Sequence, residues 1–174
     1  MTEPKLSDLL GDGIYRGAMI SPCGMYRYTL VRQWDSSRPY MPFVMLNPST
    51  ADASQDDSTI RRCVAFAWRE GCGGIDVVNL YAYRTTDPKR LWEVEDPVGP
   101  FNRQVVYDAA MVAAESGAPI ICAWGTHDVT QAVGLALVLA REAGAKLKCL
   151  GKTKGGYPRH PLYVKRGQPL EDYP

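Results

Sequence analysis

Four apolar stretches of the chain are each followed by a polar or aromatic residue that is suited to binding a small molecule. Asn47 follows the first stretch, Asn79 ends the second, Trp124 ends the third and His160 comes after the fourth. An amide offers both a hydrogen-bond donor and an acceptor, and an imidazole can do either near neutral pH. Each residue also has a structural interpretation, since Asn-Pro starts turns and tryptophan usually lies in a core. The residue types alone leave both interpretations open.

An acidic cluster lies close behind Asn47 and consists of Asp52, Asp56 and Asp57. One interpretation is a helix start, because carboxylates near a helix N-terminus are favoured by the macrodipole. The other is a further polar site built from Asp52, Asp57 and Arg61. There a carboxylate would act as a base beside Asn47, or would bind a divalent cation with a phosphorylated substrate. Arg61 fits either a solvent-exposed helix face or an anion contact.

Basic residues are concentrated near the C-terminus of a chain whose net charge is only +1. The segment 141–167 contains eight lysines and arginines and one acid, and therefore carries +7. A solvated basic face is one explanation. The other is a surface that faces phosphates, because basic residues next to a glycine-rich loop suit polyanions.

Alternating strands and helices are predicted to position these residues. Short apolar runs rich in β-branched residues predict strands, and apolar residues at helical spacing next to capping residues predict helices. The predicted strands are Tyr26–Trp34, Pro42–Leu46, Ile75–Leu80, Pro119–Trp124 and Leu147–Leu150, and the predicted helices are Ser58–Glu70, about Asn102–Ser116 and Val129–Ala143. This order predicts a single domain, residues 1–174, with a three-layer α/β/α fold. Its core would be a mainly parallel four-stranded sheet, with an N-terminal strand or hairpin added.

Ligands of parallel sheets bind beyond the carboxyl ends of the strands. The polar groups at the four strand ends are therefore expected to point into one crevice, and their shared position favours function over four unrelated structural roles. A glycine-rich basic loop, Gly151–Pro161, carries the last of them.

Composition excludes several classes of protein. The chain has 174 residues, of which 45% are hydrophobic and 22% charged, which is ordinary for a globular domain. Met1–Lys5 has no apolar stretch typical of a secretory signal and no run is long enough for a membrane span, which together predict a soluble cytoplasmic protein. Five scattered cysteines and two histidines, with no CxxC spacing, predict reduced thiols and no metal site. Neither GxGxxG nor GxxxxGK[ST] occurs where nucleotide binding would need it, and no cofactor is expected.

The order of the four motifs resembles that of the uracil-DNA glycosylase superfamily. Its members have an Asp/Asn-Pro motif after one strand, an Asn at the end of the next, a Leu-Trp-Gly strand end and a late His-Pro-Ser loop. The matching stretches here are FVMLNPS, DVVNLYAY, IICAWGTH and YPRHPLYV. The resemblance extends from Pro42 to Val164 and implies a glycosylase-like fold that acts on a nucleobase.

The resemblance also implies roles for individual residues. Asn47 would orient the water that attacks the sugar, although an amide cannot take its proton. His160 would donate a hydrogen bond to the base as negative charge develops on it. Asn79 would read the base edge, and Tyr81 or Trp124 would stack on or enclose a flipped base. The remaining residues of the implied substrate site are Pro48, Ser49 and Gly125, and the implied phosphate contacts are Ser49, the backbone amides of 151–156, Lys152, Lys154 and Arg159.

The chain departs from the glycosylase pattern at two positions. Leu162 and Tyr163 follow His160-Pro161 where the glycosylases have Ser-Pro-Leu, the segment that pinches the backbone and wedges the duplex. This difference argues against flipping a base out of intact double-stranded DNA. Met45 stands where the glycosylases usually have glycine, and the larger side chain would narrow the pocket.

A closer resemblance covers nearly the whole chain. The stretches MLNPSTADA, DDSTIRRC, VVNLYAYR, DPVGP, CAWG and GYPRHPLY are similar to those of a family of bacterial and phage proteins called domain of unknown function 1643.

Three hypotheses for the function follow from these resemblances. The first is an enzyme that hydrolyses, or otherwise acts at, the N-glycosidic bond of a modified or damaged pyrimidine. The second is a module that binds a modified base or nucleotide without chemistry. The third is a transferase in the hypermodification of phage DNA bases. All three expect DNA, single-stranded DNA included, or a nucleotide as the partner.

Overall fold

The computed structural model describes residues 13–127 and 130–174, and within them seven strands form one sheet. The strands are β1 (Tyr15–Ile20), β2 (Arg27–Gln33), β3 (Tyr40–Met45), β4 (Gly74–Asn79), β5 (Ile120–Cys122), β6 (Leu147–Cys149) and β7 (Glu171–Asp172). The α-helices are α1 (Ser58–Arg69), α2 (Asn102–Ser116) and α3 (Thr130–Glu142), and two short 3₁₀ helices span Pro88–Trp92 and Pro161–Tyr163.

The sheet is mixed, in the order β1-β2-β4-β3-β5-β6-β7. The pairs β4–β3, β3–β5 and β5–β6 are parallel, whereas β1–β2, β2–β4 and β6–β7 are antiparallel. The predicted mainly parallel four-stranded sheet is therefore wrong, because half of the pairings are antiparallel and the N-terminal hairpin extends the same sheet.

The extra strands lie at the sheet edges, where sequence signals are weak. Strand β1 contains Gly17 and is mostly half-buried, so it lacks a clear apolar alternation. Strand β7 has only two residues, Glu171 and Asp172, both of which are acidic. Backbone pairing with an existing sheet edge, rather than side-chain burial, defines both strands.

The helices cover both faces of the sheet. Side chains of β3 alternate, so that Phe43 packs with Ile60 and Val64 of α1, while Val44 packs on the opposite face with Ala110 of α2. Helix α3 joins the second face through Leu137 and Ala140. Because both faces are covered, the central strands consist of continuous apolar runs, as the sequence predicted.

The helix boundaries agree with the sequence patterns wherever the structure describes them. The Asp57 carboxylate accepts a hydrogen bond from the Ile60 amide at 2.9 Å, which caps α1, and Gly117 ends α2 with φ of +74°. The predicted start of the third helix at Val129 and the N-terminal stretch Met1–Lys5 lie outside the described residues. No helix in the described ranges is long and apolar enough to cross a membrane.

Asp76 of β4 is a half-buried acid whose carboxylate accepts a hydrogen bond from the Thr29 hydroxyl. Burial raises its pKa from 3.8 to about 6. The folded state therefore holds its proton to higher pH than the unfolded chain does, and the stability that this provides is lost as pH rises from about 4 to about 6.

Asp76→Asn is expected to remove this pH dependence while it keeps an oxygen for Thr29. Its free energy of unfolding should match that of the wild type near pH 4 and exceed it by up to about 3 kcal/mol above pH 7, since one pKa unit is worth about 1.4 kcal/mol. Urea denaturation followed by circular dichroism at the two pH values measures this difference. An equal effect at both pH values would mean that Asp76 does not titrate as described.

Candidate functional site

A cavity opens at the carboxyl edge of the sheet between β3 and β5. The chain passes from β3 to β4 on one side and returns to β5 on the other, so the strand order reverses at this point. Such switch points separate the loops of neighbouring strands and leave a crevice for ligands. The cavity has a volume of about 380 Å³, within the range of small-molecule sites. Its lining residues are Met45, Leu46, Asn47, Pro88, Trp124, Gly125, Thr126, His127, Thr153, Arg159, His160 and Tyr163.

Asn47 is fixed at the cavity wall by its amide nitrogen. Its Nδ2 donates to the carbonyl oxygens of Pro48 at 3.0 Å and Thr85 at 2.8 Å, which accounts for both of its hydrogens. Its Oδ1 makes no hydrogen bond to the described part of the chain, so the fixed amide presents an acceptor. An acceptor of this kind can orient a water molecule or receive a hydrogen bond from a ligand.

His160 reaches the same cavity from the loop after β6. Its Nδ1 accepts a hydrogen bond from the Leu162 amide at 3.3 Å, which places the proton of the neutral ring on Nε2. Burial lowers the pKa of His160; the charge of Asp57 opposes this shift, and the interaction with His127 adds to it. The ring is therefore neutral at pH 7 and carries an N–H donor.

Two contacts hold the His160 loop against the sheet. The Gly125 amide donates to the Pro158 carbonyl at 3.0 Å, and the Arg62 guanidinium donates to the Pro161 carbonyl at 3.2 Å. Gly125 has φ of +81°, a backbone conformation that disfavours other residues. These contacts bring His160 and Asn47, 113 positions apart in the chain, to one cavity.

Trp124 forms a buried wall of the cavity and is only 2% exposed. Its ring contacts Tyr173 edge to face, with 5.4 Å between centroids, and belongs to the core on the α2 face. Tyr163 also lines the cavity but is 79% exposed, and its ring lies 5.6 Å from that of His160. Of the two aromatic residues, Tyr163 is the one placed to meet a ligand at the cavity mouth.

Several predicted substrate-site residues do not line this cavity. Asn79 is 1% exposed and its buried Nδ2 has no hydrogen-bond partner within the described part of the chain, and Tyr81 packs edge to face against Trp92. Pro48 is buried beside Asn47, and Ser49 lines a separate groove on the other side of that loop. These roles remain predictions.

Of the three basic residues predicted to contact phosphate, the structure places one at the cavity. Arg159 lines the cavity, and its Nε donates to the Lys152 carbonyl at 3.2 Å. The Lys152 ammonium donates to the carbonyl of Asp172 in β7 at 3.2 Å, so it is directed to the sheet edge. Lys154 is exposed, and neither lysine lines the cavity.

The acidic cluster has structural partners throughout. Asp52 accepts hydrogen bonds from Ser54 and Gln55, Asp56 pairs with buried Arg32, and Asp57 caps α1. The Arg61 guanidinium donates to the Asp56 carbonyl at 2.8 Å. These contacts support the interpretation of the cluster as part of the helix start, and none of these residues lines the cavity.

Sequence reasoning missed two sets of functional residues. Thr126, His127 and Thr153 supply further polar groups to the cavity, and the first two directly follow Trp124-Gly125, so their position after a strand end was an available signal. The second set is buried: Arg27 and Arg32 of β2 donate to the carbonyls of Ala51 and Asp52, both at 2.6 Å. They secure the loop that carries Asn47, and no local pattern marked them.

Comparison with known proteins places the chain in a family without assigning an activity. A search of curated proteins and a search of solved structures both find no match. One family model, described as "Protein of unknown function (DUF1643)", matches residues 27–162, a range that includes every described residue of the cavity except Tyr163. The chain therefore belongs to the DUF1643 family.

Proposed function

We propose that the protein is a base-recognising enzyme of uracil-DNA glycosylase type, acting at the N-glycosidic bond of a modified or damaged pyrimidine in DNA or a nucleotide. One observation carries the proposal: Asn47, with a fixed acceptor, and His160, with a neutral N–H donor, line the same cavity. Hydrolysis of this bond needs an acceptor to orient water and a donor to stabilise the departing base.

The proposed reaction follows from these two groups. A water oxygen held by Asn47 Oδ1 attacks the anomeric carbon of the sugar, while the bond between that carbon and the base nitrogen breaks and its electron pair leaves with the base. His160 Nε2–H donates to the base oxygen on which charge develops. A proton from the attacking water neutralises the released base, so the net reaction is hydrolysis.

The cavity walls favour a flat ligand of modest size. Met45 and Trp124 contribute apolar surface, and Tyr163 offers an exposed ring on which a base can stack. Thr126, His127 and Thr153 supply hydrogen-bonding groups along the wall. Because Asn79 does not line the cavity, these three residues are the better candidates for reading the base edge.

A second function, binding of a modified base or nucleotide without cleavage, is favoured by one feature. None of the described residues that line the cavity is a carboxylate, so the group that most readily takes a proton from water is missing there. The cavity would then recognise a base, and Asn47 Oδ1 would accept a hydrogen bond from that base instead of from water.

Base release measured by mass spectrometry separates the two functions. The protein would be incubated with single- and double-stranded oligonucleotides, and with nucleotides, that carry uracil, deaminated purines or 5-substituted pyrimidines. We expect release of a free pyrimidine, preferentially from single strands, and its loss in Asn47→Ala, because that change removes the acceptor for water. Thermal melting would verify that Asn47→Ala still folds, since it also loses the bond to Thr85.

Saturable binding without release would support the binding module instead. A covalent change of mass in the base would indicate transfer chemistry. If the protein neither binds any of these substrates nor releases a base from them, all three functions are contradicted.

A further inference from the structure

A second groove, of about 440 Å³, lies on the other side of the Asn47 loop. Its walls combine two arginines with four hydroxyl-bearing side chains: Ser49, Thr50, Arg84, Thr85, Thr86 and Arg90. No described lining residue is acidic. Guanidinium groups with neighbouring hydroxyls are the side chains that proteins use to bind phosphate oxygens.

The two arginines of this groove have no ion-pair partner among the described residues. Arg90 is exposed and makes no side-chain hydrogen bond to the described chain. Arg84 donates to the Gly24 carbonyl at 3.3 Å, and its buried Nε has no hydrogen-bond partner among the described residues. The guanidinium groups of Arg84 and Arg90 therefore keep N–H donors from which an anion in the groove can accept hydrogen bonds.

The charges around Arg84 leave the groove positive. Arg27, buried beneath the loop, has its pKa lowered to about 10 by burial and in part by the field of Arg84. Asp52 is an acid whose charge interacts with Arg84, but it does not line the groove. Asp87 is the acid nearest to Arg90 in the chain, and its carboxylate accepts from the Lys89 amide at 3.0 Å.

The groove and the cavity share one wall. Asn47 of the cavity donates to the Thr85 carbonyl at 2.8 Å, and the Thr85 amide donates to the Pro48 carbonyl at 3.0 Å. Thr85 and Ser49 line the groove, so a ligand with its base on one side of this wall can place its phosphate on the other. Two adjacent sites, one with apolar and aromatic walls and one lined by two arginines, match the two parts of a nucleotide.

We propose that the groove of Arg84 and Arg90 binds a phosphate group of the nucleotide whose base occupies the cavity. The ligand class is a phosphate mono- or diester, supplied either by a free nucleotide or by a single strand of DNA. The proposal rests on the proposed function only for the statement that a base occupies the cavity. It replaces Lys152 and Lys154 as the main phosphate contacts, because neither lines the cavity or this groove.

Fluorescence anisotropy with a labelled single-stranded oligonucleotide, repeated at several salt concentrations, tests the proposal. Arg84→Gln and Arg90→Gln should each weaken binding about fivefold near 0.1 M salt and lower the magnitude of the salt slope by about 0.7, as expected for one lost phosphate contact on a single strand. Arg38→Gln is the matched control, because it removes an exposed arginine at the start of β3, the opposite edge of the sheet. Competition by a nucleoside monophosphate, compared with the nucleoside, distinguishes a free nucleotide from the polymer as the source of the phosphate.

Unchanged salt slopes in Arg84→Gln and Arg90→Gln would overturn the proposal, and so would an equal loss of affinity in Arg38→Gln. A wild-type protein that binds neither the oligonucleotide nor the nucleoside monophosphate would overturn it as well. Loss confined to Lys152→Gln and Lys154→Gln would overturn it too. Since Arg84 is partly buried, Arg90→Gln alone decides the outcome if Arg84→Gln does not fold. Groove-dependent binding without base release would support this site while contradicting the hydrolytic function; base release that is insensitive to Arg84 and Arg90 would do the reverse.

Discussion

His160→Ala is expected to lower the rate of base release by about 10²–10³-fold, the usual effect of removing one donor to a developing anion. The donor is Nε2–H, because Nδ1 accepts from the Leu162 amide and the pKa of the ring is lowered by burial. Single-turnover base release measures the effect, and thermal melting verifies that the variant folds. Under the proposed hydrolysis, the loss should appear in turnover more than in substrate affinity, since the bond strengthens only as charge develops.

The pH profile tests whether neutral His160 is the form that supports activity. Protonation of His160 would cost the Leu162 hydrogen bond, so wild-type activity should be flat from neutral pH to about 6.5 and fall only below that value, which is the ordinary pKa of histidine. His160→Gln retains an N–H donor and should keep part of the activity without the acidic decline. Full activity in His160→Ala would contradict the donor role, and an identical pH profile in His160→Gln would show that His160 is not the group whose protonation lowers activity.

The central strands and the helices were predictable because burial on both faces leaves continuous apolar runs. Strand β3, with Phe43 and Val44 packing on opposite faces, is an example. The C-terminal edge strand was not predictable, since β7 is held by backbone pairing and by the ion pair of Lys148 with Asp172 at 2.8 Å. Such contacts leave no periodicity in the sequence.

The shared position of Asn47 and His160 could be inferred because both follow strands that end at one edge of the sheet. The inward direction of Asn79 could not, because it depends on the register that pairs it with Met45. The groove arginines were equally hidden. Arg84 lies in a loop and Arg90 in a short 3₁₀ helix, where basic residues usually have only a solvated role, and only the fold shows that their groove shares a wall with the cavity.

Asp56→Ala is expected to lower the free energy of unfolding by about 3–5 kcal/mol, the typical cost of leaving one partner of a buried ion pair alone. Arg32 is fully buried, and its guanidinium contacts Asp56 at 2.8 Å through two nitrogens. The same guanidinium donates to the Asp52 carbonyl at 2.6 Å. Losing Asp56 should therefore also loosen the loop that carries Asn47. Urea denaturation measures the stability, and hydrogen exchange of residues 47–57 measures the loop.

The matched control is Asp35→Ala, which breaks an exposed pair with Arg38 at 3.1 Å together with two exposed hydrogen bonds from Ser37, and should cost only about 1 kcal/mol. Arg32→Met combined with Asp56→Ala should be more stable than Asp56→Ala alone, because the uncompensated charge is gone. That double variant would still lack the bond to Asp52, so its loop should exchange faster than in the wild type even where stability recovers. A loss in Asp56→Ala no larger than in Asp35→Ala would show that Arg32 is not held by this pair. Recovered stability with a fast-exchanging loop would instead establish that Arg32 is retained to position the Asn47 loop rather than to stabilise the fold.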